Sequence, residues 1–221
     1  MKTYLVIGAG PGMAMATAQR FAREGFRIVL ASRSDRGIAA QVDELRGRGA
    51  EVVVETADAA DPQSVAALVH RYGADLSVVH YNAGVLHYSA EGELLSRSLE
   101  EETAESMSRE THVNLISALV AVKAAGEVLA PKGEGTILLT GGGFGVEPTP
   151  AFINISVAKA GLRAATKALF DPMKEKGIHL ATVTVSTLVS PGSDKAVEVA
   201  EAFWGLHAQA RTNWAWEVVV K

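Results

Sequence analysis

The chain contains no cysteine, which excludes a disulfide framework and thiolate zinc sites and suits a reducing cytoplasm. Basic residues are not in excess. Twenty-one Lys+Arg stand against 25 Asp+Glu, and with a pI near 5.9 the chain has no electrostatic footprint for nucleic acid. The histidines at 70, 80, 87, 112, 179 and 207 show neither HxxxH nor HExxH spacing, so no structural metal is expected. The apolar stretch LISALVAVKAAGEVLA is interrupted by Lys123 and Glu127, which argues against a membrane span. The opening MKTYLVIGAG is too short for a signal h-region and runs straight into glycines. A soluble, cytoplasmic protein is the expectation. No Pro/Gly linker or low-complexity tract divides the 221 residues, 48% of them hydrophobic, and one domain over 1–221 with a full core follows.

What is present is an alternation. Short β-branched runs at 3–7, 27–31, 51–56, 76–81, 135–140, 179–186 and 216–220 read as strands. Helical patterns lie between them near 12–24, 35–48, 61–73, 98–130, 150–176 and 194–210. The strands show apolar runs rather than strict alternation, as expected when both faces are buried in a parallel sheet. Repeated βα units predict an α/β fold of Rossmann type, a doubly wound, seven-stranded, mainly parallel sheet with helices on both faces.

The first strand runs into Gly8, Gly10, Pro11, Gly12 and Met13 before the first helix. Such a turn lets backbone approach a pyrophosphate while the helix N-terminus faces the anion. The spacing is G-x-x-x-G-x-G, met by Gly8 and Gly12 with Ala14 in the last place. Nucleotide choice is set after the second strand, where Ser32, Arg33 and Ser34 stand and no carboxylate precedes them. Arginine there accommodates a 2′-phosphate, so NADP is favoured over NAD. Asp35 could hold a ribose but reads better as a helix cap.

Four further stretches fall in order: Asp58-Ala59 in TADAAD, Asn82-Ala83-Gly84 in HYNAGV, Asn114 in HVNLISA, and Lys159 in ISVAKAGL. With the glycine turn, this set resembles the short-chain dehydrogenase/reductase family across nearly the whole chain. The resemblance implies that Asp58 contacts adenine and that Asn82-Ala83-Gly84 supports the sheet beside the cofactor. It also implies that Asn114 holds a relay water and that Lys159 binds the nicotinamide ribose. Pro191-Gly192 in SPG resembles the family's turn near the nicotinamide, although the residues before it do not align. A homodimer or homotetramer built on the two long helices is implied as well.

Taken alone, Lys159 could merely lay its stem on the core and lift its charge into water. In the stripe Ile155, Ala158, Leu162, Ala165, Leu169 it sits at the flank. The motif set turns it instead toward a cofactor cleft.

Two members of the family's catalytic set are missing. The tyrosine expected four residues before the lysine is Ile155, and the serine expected after the fifth strand is Gly142. Hydride transfer leaves negative charge on a substrate oxygen, which needs a proton donor; isoleucine has none. Substitutes are Ser156, a helical step of about 100° away, His87 and Tyr88, Thr140, Thr149, or Lys159 itself if burial depresses its pKa. The glycines of TGGGFG either let backbone approach the nicotinamide or permit a left-handed turn. In the family the segment after the PG turn often carries a substrate lid; here it is short, which implies a site that is open or capped by a partner. The tail FWGLHAQARTNWAWEVVV could cover the pocket or a subunit contact. The reading is an NADP(H)-dependent reductase of a small molecule's carbonyl, C=C or C=N bond, with Asn114, Lys159 and Ser156 as catalytic candidates. The alternative is a non-catalytic NADP(H) binder, a redox sensor or supporting subunit.

Overall fold

The computed structural model describes residues 1–34 and 37–221; Asp35 lies outside them. Seven strands, β1 (Thr3–Ile7), β2 (Arg27–Ser32), β3 (Val52–Thr56), β4 (Leu76–Tyr81), β5 (Gly135–Gly142), β6 (Ile178–Val185) and β7 (Glu217–Val220), form one sheet in the order β3-β2-β1-β4-β5-β6-β7. Every pairing is parallel, so the sheet is wholly rather than mainly parallel. Such pairing needs crossovers, and the helices supply them on both faces.

Alternation along a strand divides the core in two. Leu5 and Ile7 of β1 pack with α3 (Pro62–Arg71) and α5 (Ser117–Leu129), while Tyr4 and Val6 pack with α1 (Met13–Arg23) and α7 (Asp194–Ala208). All four are at most 1% exposed, which is why β1 reads as an unbroken apolar run. Each such side chain contributes roughly 1.5–3 kcal/mol on full burial. The second layer also holds α2 (Ala39–Gly47) through Val42 and Leu45, and the first holds α6 (Ile153–Glu175) through Leu162.

The long helix begins at Ala104, not near 98. Ser98 and Thr103 each open a capping box, so Leu99–Glu101 forms a separate 3₁₀ turn before α4 (Ala104–Thr111). A π-helical turn, His112–Ile116, then joins α4 to α5. By length and composition alone Ala104–Lys132 could cross a membrane, yet 56% of its most apolar window is buried in the fold. On α6 the expected stripe is partly displaced: Ala165 and Leu169 are only half-buried, and Thr166 is buried with its hydroxyl donating to the Leu162 carbonyl. The chain reverses strand order between β1 and β4, and the crevice at the carboxyl ends of those strands is where ligands enter such sheets.

Candidate active site at the carboxyl edge of the sheet

The glycine turn is locked to the segment after β4. Gly8 and Ala9 donate N–H bonds to the Ala31 carbonyl, both at 2.9 Å. Asn82 and Ala83 donate to the Ile7 carbonyl, and Asn82 Nδ2 donates to the Gly8 carbonyl at 2.9 Å. Gly8 has φ +90°, and a Cβ there would lie 2.3 Å from Ala83 N. Beyond it the turn is open: a Cβ on Gly10 would meet nothing within 4 Å. Gly12 is the N-cap of α1 and no side chain caps that end. Open space before uncapped N–H groups is what a pyrophosphate requires, so these residues fit a dinucleotide. Pro11 is exposed, and Met13 reaches into the adjoining cavity.

Along the same edge, Arg33 is exposed just past β2, where the Ser32 hydroxyl donates to the Ser34 carbonyl at 2.7 Å and shapes the turn. Asp58 is exposed past β3, and its carboxylate accepts from Ala60 N at 2.9 Å across Ala59. Gly84 and Asn82 line the cavity beside them, whereas Ala83 is buried.

That cavity measures about 990 Å³. Its walls are mainly apolar, with Leu86, Leu94, Phe144, Val146 and Ile155 in the lining beside Lys159, which is bound to the end of β5. Lys159 Nζ donates to the Thr140 carbonyl at 2.6 Å. Among the described residues no carboxylate pairs with it, and burial lowers its pKa to about 8.

The left-handed-turn reading of TGGGFG fails, since no glycine in it has positive φ, while Gly141, Gly142 and Gly143 line the cavity. Gly141, Gly143 and Gly145 instead permit close packing. Cβ atoms there would fall 2.7 Å from Thr182 Oγ1, 2.9 Å from Ser186 Oγ and 2.6 Å from the Lys159 carbonyl carbon. Gly142 differs: its backbone is extended and a Cβ would touch Lys159 Cγ at an ordinary 3.4 Å. Gly142→Ser should therefore change stability by less than about 0.5 kcal/mol. A clearly larger loss in urea unfolding would show that the glycine is structurally required.

A buried polar chain, unforeseen from the sequence, backs this wall. His80 accepts from the Tyr4 hydroxyl through Nδ1 (2.6 Å) and meets Thr140 Oγ1 through Nε2 (2.9 Å). Thr140 Oγ1 in turn donates to Asn82 Oδ1 at 2.8 Å. Because Asn82 Nδ2 is spent on Gly8, every link runs one way, with the proton on His80 Nε2. Burial lowers the His80 pKa to about 3, so the ring is neutral. Thr140 thereby has its hydroxyl committed and its carbonyl holding Lys159.

The other sequence candidates separate. Ser156 is fully buried and its hydroxyl lies against Thr149, 3.3 Å from the amide and 3.5 Å from the carbonyl, away from the cavity. His87 binds Glu110 at 2.7 Å, beside Arg97 at 3.3 Å. His87, Glu102 and Glu110 sit close enough for a metal, but Arg97 lies 3.5 Å and 4.0 Å from the two carboxylates and supplies the cation there. Tyr88 lines the cavity at its mouth, 52% exposed. Asn114, in the π turn, accepts from Val85 N at 2.7 Å, and among the described residues its buried Nδ2 has no protein partner, a position suited to a water. Pro191 and Gly192 are exposed and do not line the cavity; Ser186–Val189, missed in the sequence, do. The tail contributes only Val219, and Lys221 just after it also lines the cavity. Trp216 lies instead under Arg163 and Lys167 of α6, and Trp214 stacks on His179.

Residues 2–199 match the family model for short chain dehydrogenase. The chain is 26% identical over 194 residues to a 2,5-dichloro-2,5-cyclohexadiene-1,4-diol dehydrogenase of Sphingobium indicum, covering 86% of this chain and 74% of that one. A short-chain dehydrogenase of Rhodopseudomonas palustris superposes with TM-score 0.88 at 24% identity, over 100% of this chain and 98% of the other. A metagenomic short-chain oxidoreductase solved with NADP superposes at 0.87, with 20% identity over 99% and 96%.

Proposed function

This chain belongs to the short-chain dehydrogenase family, and from that premise we propose that it is an NADP(H)-dependent reductase of a carbonyl, C=C or C=N bond in a small apolar molecule. The observation that carries the reading is the joining of an open, uncapped glycine turn to an apolar cavity with Lys159 in its wall. The turn and α1 would hold the pyrophosphate, Asp58 the adenine side, Arg33 a 2′-phosphate, and Asn82 and Lys159 the nicotinamide end. The bound cofactor supplies hydride. Asn82 keeps the turn in place through Gly8, Asn114 offers its unpaired amide to a water, and the apolar walls exclude bulk solvent from the reacting bond. The charge of Arg163 at the rim is already spent on Glu217, in two bonds of 2.7 Å, which favours an uncharged substrate. Exposed Val157 on α6 and Ile116 in the π turn support assembly as a homodimer or homotetramer, and the proposed setting is the cytoplasm.

Calorimetric titration tests the cofactor. NADPH and NADP⁺ should bind and NADH only weakly. Arg33→Ala should weaken NADPH about tenfold or more, the cost of one charge-assisted phosphate contact, and leave NADH unchanged. Absence of binding by all three would leave the turn as architecture alone and end the reductase reading.

A further inference from the structure

We propose that the ammonium group of Lys159 is itself the proton donor of the reaction, a role that rests on the reductase reading above. The argument starts from the cavity wall. Position 155 is an isoleucine and position 142 a glycine, so neither offers a proton. Ser156 is turned onto Thr149 and Thr140 Oγ1 is committed to Asn82. The Arg163 guanidinium is held by Glu217, and a guanidinium does not release its proton in proteins. Ser186 and Thr187 line the cavity, but unassisted hydroxyls are poor acids near neutrality.

Lys159 remains. Its Nζ spends one N–H on the Thr140 carbonyl, leaving two for a ligand. The missing side chain at Gly142 leaves its stem uncovered on that side. Burial without a carboxylate partner brings the group toward neutrality, which is what a general acid working near pH 7–8 needs.

The step balances. Hydride adds to the electrophilic carbon and the π pair moves to the heteroatom. That atom takes a proton from Nζ, and the neutral amine recovers one from water. The titratable and charged groups that line the same cavity are Tyr88 from the loop after β4, Glu147 from the β5–α6 loop, Arg163 on its own helix and Lys221 after β7. His80 of β4 stands behind Thr140.

The experiment uses the full chain. In cofactor-free protein, competitive acetylation of lysines across pH, read by mass spectrometry, should give Lys159 a midpoint near 8, well below the exposed lysines. With NADPH and a panel of cyclic ketones, enones and imines, reduction should hold level below that midpoint. Above it the rate should fall about tenfold per pH unit. Lys159→Arg keeps a charge for the ribose but cannot release a proton. It should bind NADPH nearly as well, while kcat falls on the order of 10²–10⁴. Added alkylamines should restore Lys159→Ala in proportion to their acidity, which a ribose-binding role alone would not produce. Turnover that survives Lys159→Arg, or that is lost in Tyr88→Phe instead, overturns the donor and leaves the reductase reading intact. Wild-type protein that binds NADPH and reduces nothing in the panel overturns both.

Discussion

Gly8→Ala should cost the fold about 3 kcal/mol or more and abolish NADPH binding. Two effects add at this one position. The φ of +90° is a region where an L-residue is strained by roughly 1–2 kcal/mol. The added Cβ would also fall 2.3 Å from Ala83 N and 2.4 Å from its Cα. Those are backbone atoms, so relief requires separating the glycine turn from the segment after β4. That separation breaks the bond from Asn82 Nδ2 to the Gly8 carbonyl, and with it the alignment of the open N–H groups. For a chain of this size the stability loss corresponds to a Tm lower by roughly 6–12 °C. Gly10→Ala is the control, because a Cβ there meets open space; it should leave Tm unchanged and weaken only cofactor binding. A Gly8→Ala protein with wild-type Tm would refute the locked turn.

Acidification supplies the second large effect. Burial lowers His80 to about 3 and His207 to about 4, and His179 is lowered for the same reason. Their unfolded value is near 6.5. Between that value and each folded one, the unfolded chain binds a proton that the native state refuses. Stability is therefore full above about pH 6.5 and declines as pH falls, by up to about 1.4 kcal/mol per unit for each fully buried histidine. At pH 5 the loss from His80 alone is about 2 kcal/mol. Glu55 and Glu217, held below the usual carboxylate range by hydrogen bonds to Tyr72 and Arg163, add to the loss only at lower pH. Urea unfolding at several pH values between about 7.5 and 5 should follow this slope. His80→Gln should start lower, having disturbed Tyr4 and Thr140, and descend less steeply. Equal slopes in the two proteins would exclude His80 as the source.

The sheet was legible because its strands are buried on both faces: side chains with no polar outlet leave unbroken runs of Val, Ile and Leu, as in Tyr4–Ile7. The glycine turn was legible for a related reason, since a backbone conformation closed to other residues leaves Gly8 in the sequence itself. The chain alone thus determined the α/β class, the dinucleotide turn, and the absence of Tyr and Ser at 155 and 142. Helix starts were less secure, because two capping boxes in succession, at Ser98 and Thr103, left local signals with no means of ranking them. Only the tertiary structure decided the rest. Ser156 and Lys159 are three residues apart on one helix, and packing against Thr149 and Thr140 is what sends one into the core and the other into the cavity. His80 has no motif at all. It acquires a role because β4 lies between β1 and β5, with His80 opposite Val6 and Leu138, so that Tyr4 and Thr140 meet it on the same face. Local pattern records what one segment needs from solvent and backbone; which groups meet across strands 60 or 76 residues apart is settled only when the sheet closes around them.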